Sequence, residues 1–334
     1  MKKIYTLIFA ALLASSAMAQ MHGALKFAGT SSTQVLTQTT NNASDTIKFE
    51  MASMSTGSIT LPTMKGMAAI PSFTIENVAF TMGENHVITF AEQTFTLDVD
   101  VDGEKKAVKG SSISGSYNMA DNSFDLKVVF KYGSMPFDLT YNIDAYYVKP
   151  VSSAINVSVG GMYTYSNDGV TYNVRKYMDG DVQKVDVEIP TYGLDNTVMG
   201  NLTLGTYTVK ELTYDEEKGG FYRDYKDDGL SFYFMAENKG NKTMDGEYTF
   251  NSEKDNNILV KYDGNRVTDI VNTFQMGSMP FSIVSSFATS NTGISSINDN
   301  ISKSGGKMYN LNGQAVSDSY KGIVIVNGRK CLRK

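Results

Sequence analysis

Five residues of this chain occur twice. Gly133-Ser134-Met135-Pro136-Phe137 returns as Gly277-Ser278-Met279-Pro280-Phe281, an offset of 144 residues. A second echo, Leu61-Pro62-Thr63 against Ile189-Pro190-Thr191, is offset by 128. Two echoes in the same order at similar offsets argue for one module present twice, the later copy carrying about sixteen additional residues. Such a repeat confines the fold, because any architecture proposed for the first copy must also suit the second.

The first residues address the compartment. Lys2 and Lys3 precede an apolar run over residues 4–13, and Ala17-Met18-Ala19 follows as a small-x-small cleavage site. This three-part pattern predicts a secretory signal peptide over 1–19, cut after Ala19. The run is too short to cross a hydrocarbon core of ~30 Å, and no cysteine near the cut offers a lipid attachment point. The expected location is therefore the periplasm, the outer-membrane surface or the extracellular space. The remaining stretch of about 315 residues suits two domains better than one. With Cys331 as its single cysteine, the chain forms no internal disulfide, so ordinary apolar cores must hold it together. Its net charge is −5 with no Lys/Arg cluster, which argues against nucleic acid and against anionic membrane surfaces as partners.

Alternation with a period of two dominates the sequence. Phe95, Leu97, Val99 and Val101 face one way, and Thr96, Asp98 and Asp100 the other. Phe124, Leu126, Val128 and Phe130 repeat the pattern, as do Val185, Val187 and Ile189. These are strands with one buried and one wet face, as in antiparallel sheet. Asp102-Gly103, Asp168-Gly169, Asp179-Gly180, Asp228-Gly229, Asp245-Gly246 and Asp263-Gly264 read as tight hairpin turns, since Asp-Gly tolerates the positive φ these need. No segment beyond the signal shows a helical period.

In each copy an opening hairpin (47–60; 162–188) leads to a further strand (73–80; 202–212), two more hairpins and the closing Gly-Ser-Met-Pro-Phe strand. In the closing strands Phe137, Leu139, Tyr141 and Ile143 share a face, as do Phe281, Ile283 and Phe287. The fold class read from this is all-β: two tandem antiparallel up-and-down β-barrels over 20–150 and 151–289, which would also remove exposed sheet edges. A two-sheet sandwich has the same periodicity. Pro136 and Pro280 suit a strand start or a bulge, and Gly133 and Gly277 suit a turn that a side chain would oppose. Met135 and Met279 read as core fillers. Residues 290–306, rich in Ser, Asn and Gly, read as a flexible linker. Residues 307–334 regain strand character around Asn312-Gly313 and Asn327-Gly328 as a short hairpin tail.

Two exported barrel modules, each closing on Gly-Ser-Met-Pro-Phe, resemble the calycin-like (lipocalin-like) β-barrel domains of Bacteroidetes. That resemblance implies eight-stranded barrels whose mouth commonly admits a small apolar ligand. The chain departs from true lipocalins in having no Trp, and so no Gly-x-Trp motif. The tail, with Met308-Tyr309-Asn310-Leu311-Asn312-Gly313-Gln314 and Lys321-Gly322-Ile323-Val324-Ile325-Val326-Asn327-Gly328, is similar to a shortened type IX secretion sorting signal. Its implied partner is the secretion or outer-membrane machinery; the alternative is a hairpin docked on the second barrel.

The residues offer little for catalysis. His22 and His86 are the only histidines and Cys331 lies near the terminus, so neither a Cys/His dyad nor a Ser/His/Asp triad can be assembled. Asp98-Val99-Asp100-Val101-Asp102-Gly103 opens like a calcium loop, but its twelfth position is Lys109 rather than a bidentate acid, which favours a hairpin. Asp215-Glu216-Glu217 and the acids from Asp224 to Asp228 lie beside turn signals, where solvated carboxylates are ordinary. The expectation is an exported non-enzymatic binding protein for a small apolar or amphipathic ligand, with no catalytic, metal or cofactor residues and no ligand residue yet identified. The alternatives are a structural or adhesive surface protein without cargo and, third, a single outer-membrane barrel of about sixteen strands.

Overall fold

The computed structural model describes residues 23–64, 69–83 and 86–288, and the strands 295–296, 308–310, 315–316, 322–326 and 329–333. The signal peptide, its cleavage point, His22, most of the linker and both Asn-Gly pairs of the tail lie outside these residues.

Every regular element described is a β-strand. The chain begins with β1 (Leu25–Val35), β2 (Gln38–Met51), β3 (Thr56–Leu61), β4 (Phe73–Met82), β5 (Val87–Phe90), β6 (Phe95–Val101), β7 (Glu104–Asn118), β8 (Ser123–Tyr132) and β9 (Leu139–Val159). Apart from β6, which pairs only with β7, these follow the hydrogen-bonded order β1-β2-β3-β4-β5-β7-β8-β9. The ladder then returns to its start, because β9 also pairs with β1 from Tyr147 opposite Phe27 to Leu139 opposite Val35. Eight strands thus close into a ring.

A second ring grows from the same strand. It comprises β9, β10 (Tyr163–Asp179), β11 (Val182–Ile189), β14 (Tyr207–Asp215), β15 (Gly220–Asp224), β18 (Asn257–Asp263), β19 (Arg266–Phe274) and β20 (Ile283–Ala288). It closes where β20 pairs with β9, from Ile283 opposite Val159 to Phe287 opposite Ile155. Residues 139–147 of β9 therefore serve ring one and residues 155–159 close ring two. The expected division at 150/151 falls inside this continuous strand. Pro150, which has no N–H to donate, lies between the two closing ladders and faces Asn173 of β10 on its other side.

Ring two is not a plain meander. The strands β12 (Tyr192–Thr197), β13 (Gly200–Leu204), β16 (Ser231–Asn238) and β17 (Asn241–Thr249) leave it to form their own four-stranded sheet. The single strand expected over 202–212 is consequently broken at Gly205, whose N–H bonds the Tyr233 carbonyl at 2.7 Å. A Cβ there would come within 2.8 Å of the Tyr233 side chain. Leu194, Leu202, Leu204, Phe232 and Phe234 of this sheet pack into the ring-two core, so the sheet seals one end of the ring.

The tail forms a separate five-stranded sheet of β21 (Ser295–Ser296), β22 (Met308–Asn310), β23 (Ala315–Val316), β24 (Gly322–Val326) and β25 (Arg329–Arg333). It is more than a hairpin, and β21 comes from the segment read as linker, pairing parallel to β25.

Each ring has its own core, which gives two closed units in place of a single sixteen-stranded membrane barrel. Ring one is filled by Phe27, Phe49, Phe80, Phe90, Phe124 and Phe130, all nearly inaccessible to solvent. The Phe27 and Phe124 centroids lie 4.4 Å apart, and Phe49 and Phe90 5.2 Å apart. Burying each such ring contributes about 1.5–3 kcal/mol. Along β8 the outer positions Asp125, Lys127 and Lys131 are exposed, and Val129 is the only apolar residue on that face, whereas a lipid-facing barrel places its apolar band outward.

The two Gly-Ser-Met-Pro-Phe strings build the same turn. Gly133 and Gly277 both adopt the left-handed region, with φ of 59° and 46°. Gly133 N–H bonds Ala107 and Gly277 N–H bonds Thr249, at 2.8 and 2.9 Å. Met135 N–H and Met279 N–H then close onto Tyr132 and Met276. Pro136 and Pro280 precede the strands β9 and β20 that close the rings, where a missing donor costs nothing.

Candidate ligand-binding site

Alternation along the ring-two strands decides what points inward. On β10, Val170, Tyr172 and Val174 are buried, and Lys176 continues the same parity toward the strand end. Lys176 pairs with Val185, a core residue of β11. Tyr214 of β14 faces Phe221 of β15, which in turn faces the buried Val260 of β18. Tyr262 lies opposite the buried Val267. These side chains converge at the end of ring two that the four-stranded sheet leaves unsealed.

Together with Asp181, Gln183 and Thr213, they form a shallow cup of about 450 Å³. Three aromatic rings make its wall. Tyr214 and Phe221 meet edge-to-face at 5.5 Å, and Phe221 and Tyr262 do so at 5.6 Å. The Lys176 ammonium sits 4.8 Å from the Tyr262 centroid and 5.6 Å from that of Phe221. Both are cation–π distances. Among the described residues no carboxylate pairs with Lys176; burial lowers its pKa from the usual lysine value and raises that of the Tyr262 phenol. Tyr214 remains 54% exposed, leaving an aromatic face open to solvent.

Below the cup the ring is packed. Tyr225 donates to Asn272 Oδ1 at 2.8 Å, and Asn272 Nδ2 donates to the Tyr207 hydroxyl at 2.6 Å, all three buried. Burial holds the Tyr207 phenol far above its usual pKa, so this chain of hydroxyls stays neutral. At the sealed end an apolar slot lined by Leu194, Met199, Met279 and Phe281 holds only about 40 Å³. Small-ligand sites commonly offer about 300–1,000 Å³, so space for a ligand lies at the mouth and not along the axis.

A second concavity, of about 700 Å³, lies where the rings meet. Its centre is Arg175, whose Nε and Nη2 bond Asp186 at 3.2 and 2.5 Å and whose Nη1 bonds the Ala28 carbonyl of ring one at 2.9 Å. Asp186 also accepts from Tyr177 and from the Glu211 N–H. These groups are saturated by one another, and they tie the rings together.

The acidic candidates from the sequence resolve into turns. Asp98 and Asp100 lie on β6, and Asp102-Gly103 is the two-residue turn into β7, with φ of 55° and 85° and Val101 opposite Glu104. Lys109 is on β7, exposed. Asp215 lies 3.3 Å from Lys218, and Glu216 and Glu217 are exposed. Asp224 lies 3.5 Å from Lys226, while Asp228 takes a bidentate contact from Arg223 at 2.8 and 3.0 Å. His86 is an exposed residue with positive φ. Met135 and Met279 are partly buried against the cores, as expected of fillers. Sequence reading missed Lys176; the available signal was a lysine at the inward parity set by Val170, Tyr172 and Val174.

The closed eight-stranded rings and the mouth define an all-β protein of barrel type. The family model described as "Calycin-like beta-barrel domain" matches residues 153–290, which is ring two without the first part of β9. A solved structure of a Bacteroides fragilis protein, described provisionally as an outer membrane protein, is similar at 18% identity over 80% of this chain and 97% of that one, with a TM-score of 0.27. No curated protein matches the chain.

Proposed function

We propose that this is an exported, non-enzymatic binding protein whose ligand, a small amphipathic molecule, sits in the mouth of ring two. The observation carrying this reading is the asymmetry of that ring. One end is sealed by a four-stranded sheet, the middle is filled, and the other end opens into an aromatic cup of about 450 Å³. Calycin-like barrels are a binding fold, and the matched family model covers the strands that build the cup. Ring one, closed on the same repeat turn, is read as a copy of the module that lends rigidity. The tail sheet is read as the part addressed by the export or surface machinery.

The test is native mass measurement with solvent extraction of the protein purified from its own host. A stoichiometric small molecule, lost from Tyr214→Ala, supports the reading. An empty protein that takes up no amphiphile overturns it and leaves the cargo-free structural or adhesive role, which the packed interiors also suit.

A further inference from the structure

Resting on the mouth of ring two as the ligand seat, we infer that the cup selects anionic amphiphiles: an acid group bonds the Lys176 ammonium while a flat or extended apolar body lies against Tyr214, Phe221 and Tyr262. The argument starts from what the lysine lacks. An inward-facing ammonium gives up hydration, and the negative faces of Phe221 and Tyr262 return only part of it. Buried charges are ordinarily paired, and the neighbouring cation of β10, Arg175, which faces out of the ring, has Asp186 as its partner. Lys176 has no such partner among the described residues. The titratable groups facing it are Asp181 on the rim and the phenols of Tyr214 and Tyr262. A carboxylate, sulfonate or phosphate entering the cup would supply the missing acceptor in a partly desolvated setting, and a charge-assisted hydrogen bond is stronger than a neutral one. A cationic amphiphile would meet the same apolar wall and be repelled.

Octanoate, octanol and octylamine present one apolar chain with three head groups. Titrated by calorimetry into the full chain without its signal peptide at neutral pH, octanoate is expected to bind about tenfold tighter than octanol, with octylamine weakest. Lys176→Met, whose side chain suits an inward apolar position, should erase the octanoate preference without weakening octanol; Lys176→Arg should keep it. Tyr214→Ala should weaken octanoate and octanol together. Equal binding of octanoate and octanol to the wild type, or a preference that survives Lys176→Met, overturns the role of Lys176 while leaving the seat intact. Binding of none of the three, or binding indifferent to Tyr214→Ala, overturns the seat itself.

Discussion

Arg175 of β10 reaches out of its own ring to the main-chain oxygen of Ala28 in the other, at 2.9 Å, while Asp186 grips its guanidinium from the adjacent strand. The pair is largely buried, with side-chain exposures of 20% and 10%. Lys149 adds a bond to the Asn265 carbonyl, and Asn265 one to Ala120. The orientation of the rings is thus held by side chain to backbone contacts as well as by the shared strand.

Replacing Arg175 by Met should cost about 3 kcal/mol, because Asp186 is left buried without its cation. Chemical denaturation should show the loss, and the double variant with Asp186→Leu should recover part of it. Full stability in Arg175→Met would show that the strap contributes nothing.

Alkali should unfold this protein abruptly. The phenols of Tyr192 and Tyr207 lie well above their usual 10.0, and Tyr172 is pushed up to about 12, in each case chiefly by burial. A raised folded pKa means the stabilising contribution is complete below pH 10 and is lost as pH climbs above it, because the unfolded chain ionises first. Tyrosinate absorbance should therefore rise together with loss of β-sheet circular dichroism. A gradual titration preceding any unfolding would contradict the packing described.

Gly133→Val and Gly277→Val should each destabilise by about 1–2 kcal/mol, since both positions require positive φ. A Cβ at Gly133 meets nothing within 4 Å, so the cost there is conformational and not steric. Thermal melts that fall for one variant and not the other would break the equivalence of the two turns.

Deleting residues 304–334 removes β22 to β25, which pair among themselves and with β21 but with neither ring. Melting of the truncated protein should match the parent, and its cellular location should change. A truncated chain that fails to fold would contradict a sorting role for the tail.

The all-β class and most hairpins were legible because alternation reports which face is buried. Phe95, Leu97, Val99 and Val101 behave as their spacing demands. The Asp-Gly pairs were less reliable guides. Asp102-Gly103 is a true two-residue turn, but Asp168-Gly169 sits at an irregularity within β10 and Asp245-Gly246 lies inside β17. The turn into β17 is instead Lys239-Gly240, both with positive φ. Glycine is tolerated at bulges and strand positions as well as in turns, so the dipeptide alone does not separate them. The four-stranded sheet escaped notice because its strands have the same period as those of the ring. The cup was hidden for a related reason: Lys176 breaks a run of apolar inward residues, and only closure of the ring shows that it stands beside Phe221 and Tyr262.

The strand common to both rings means that the halves are joined by sheet hydrogen bonds and not by the covalent chain alone. Cutting between Pro150 and Val151 would leave both closing ladders whole, but it would strip Asn173, Val174 and Arg175 of β10 of their partners Pro150, Lys149 and Val148 and part Arg175 from Ala28. That short bare edge of β10 offers the two pieces a place to pair again, so mixing them should restore the whole.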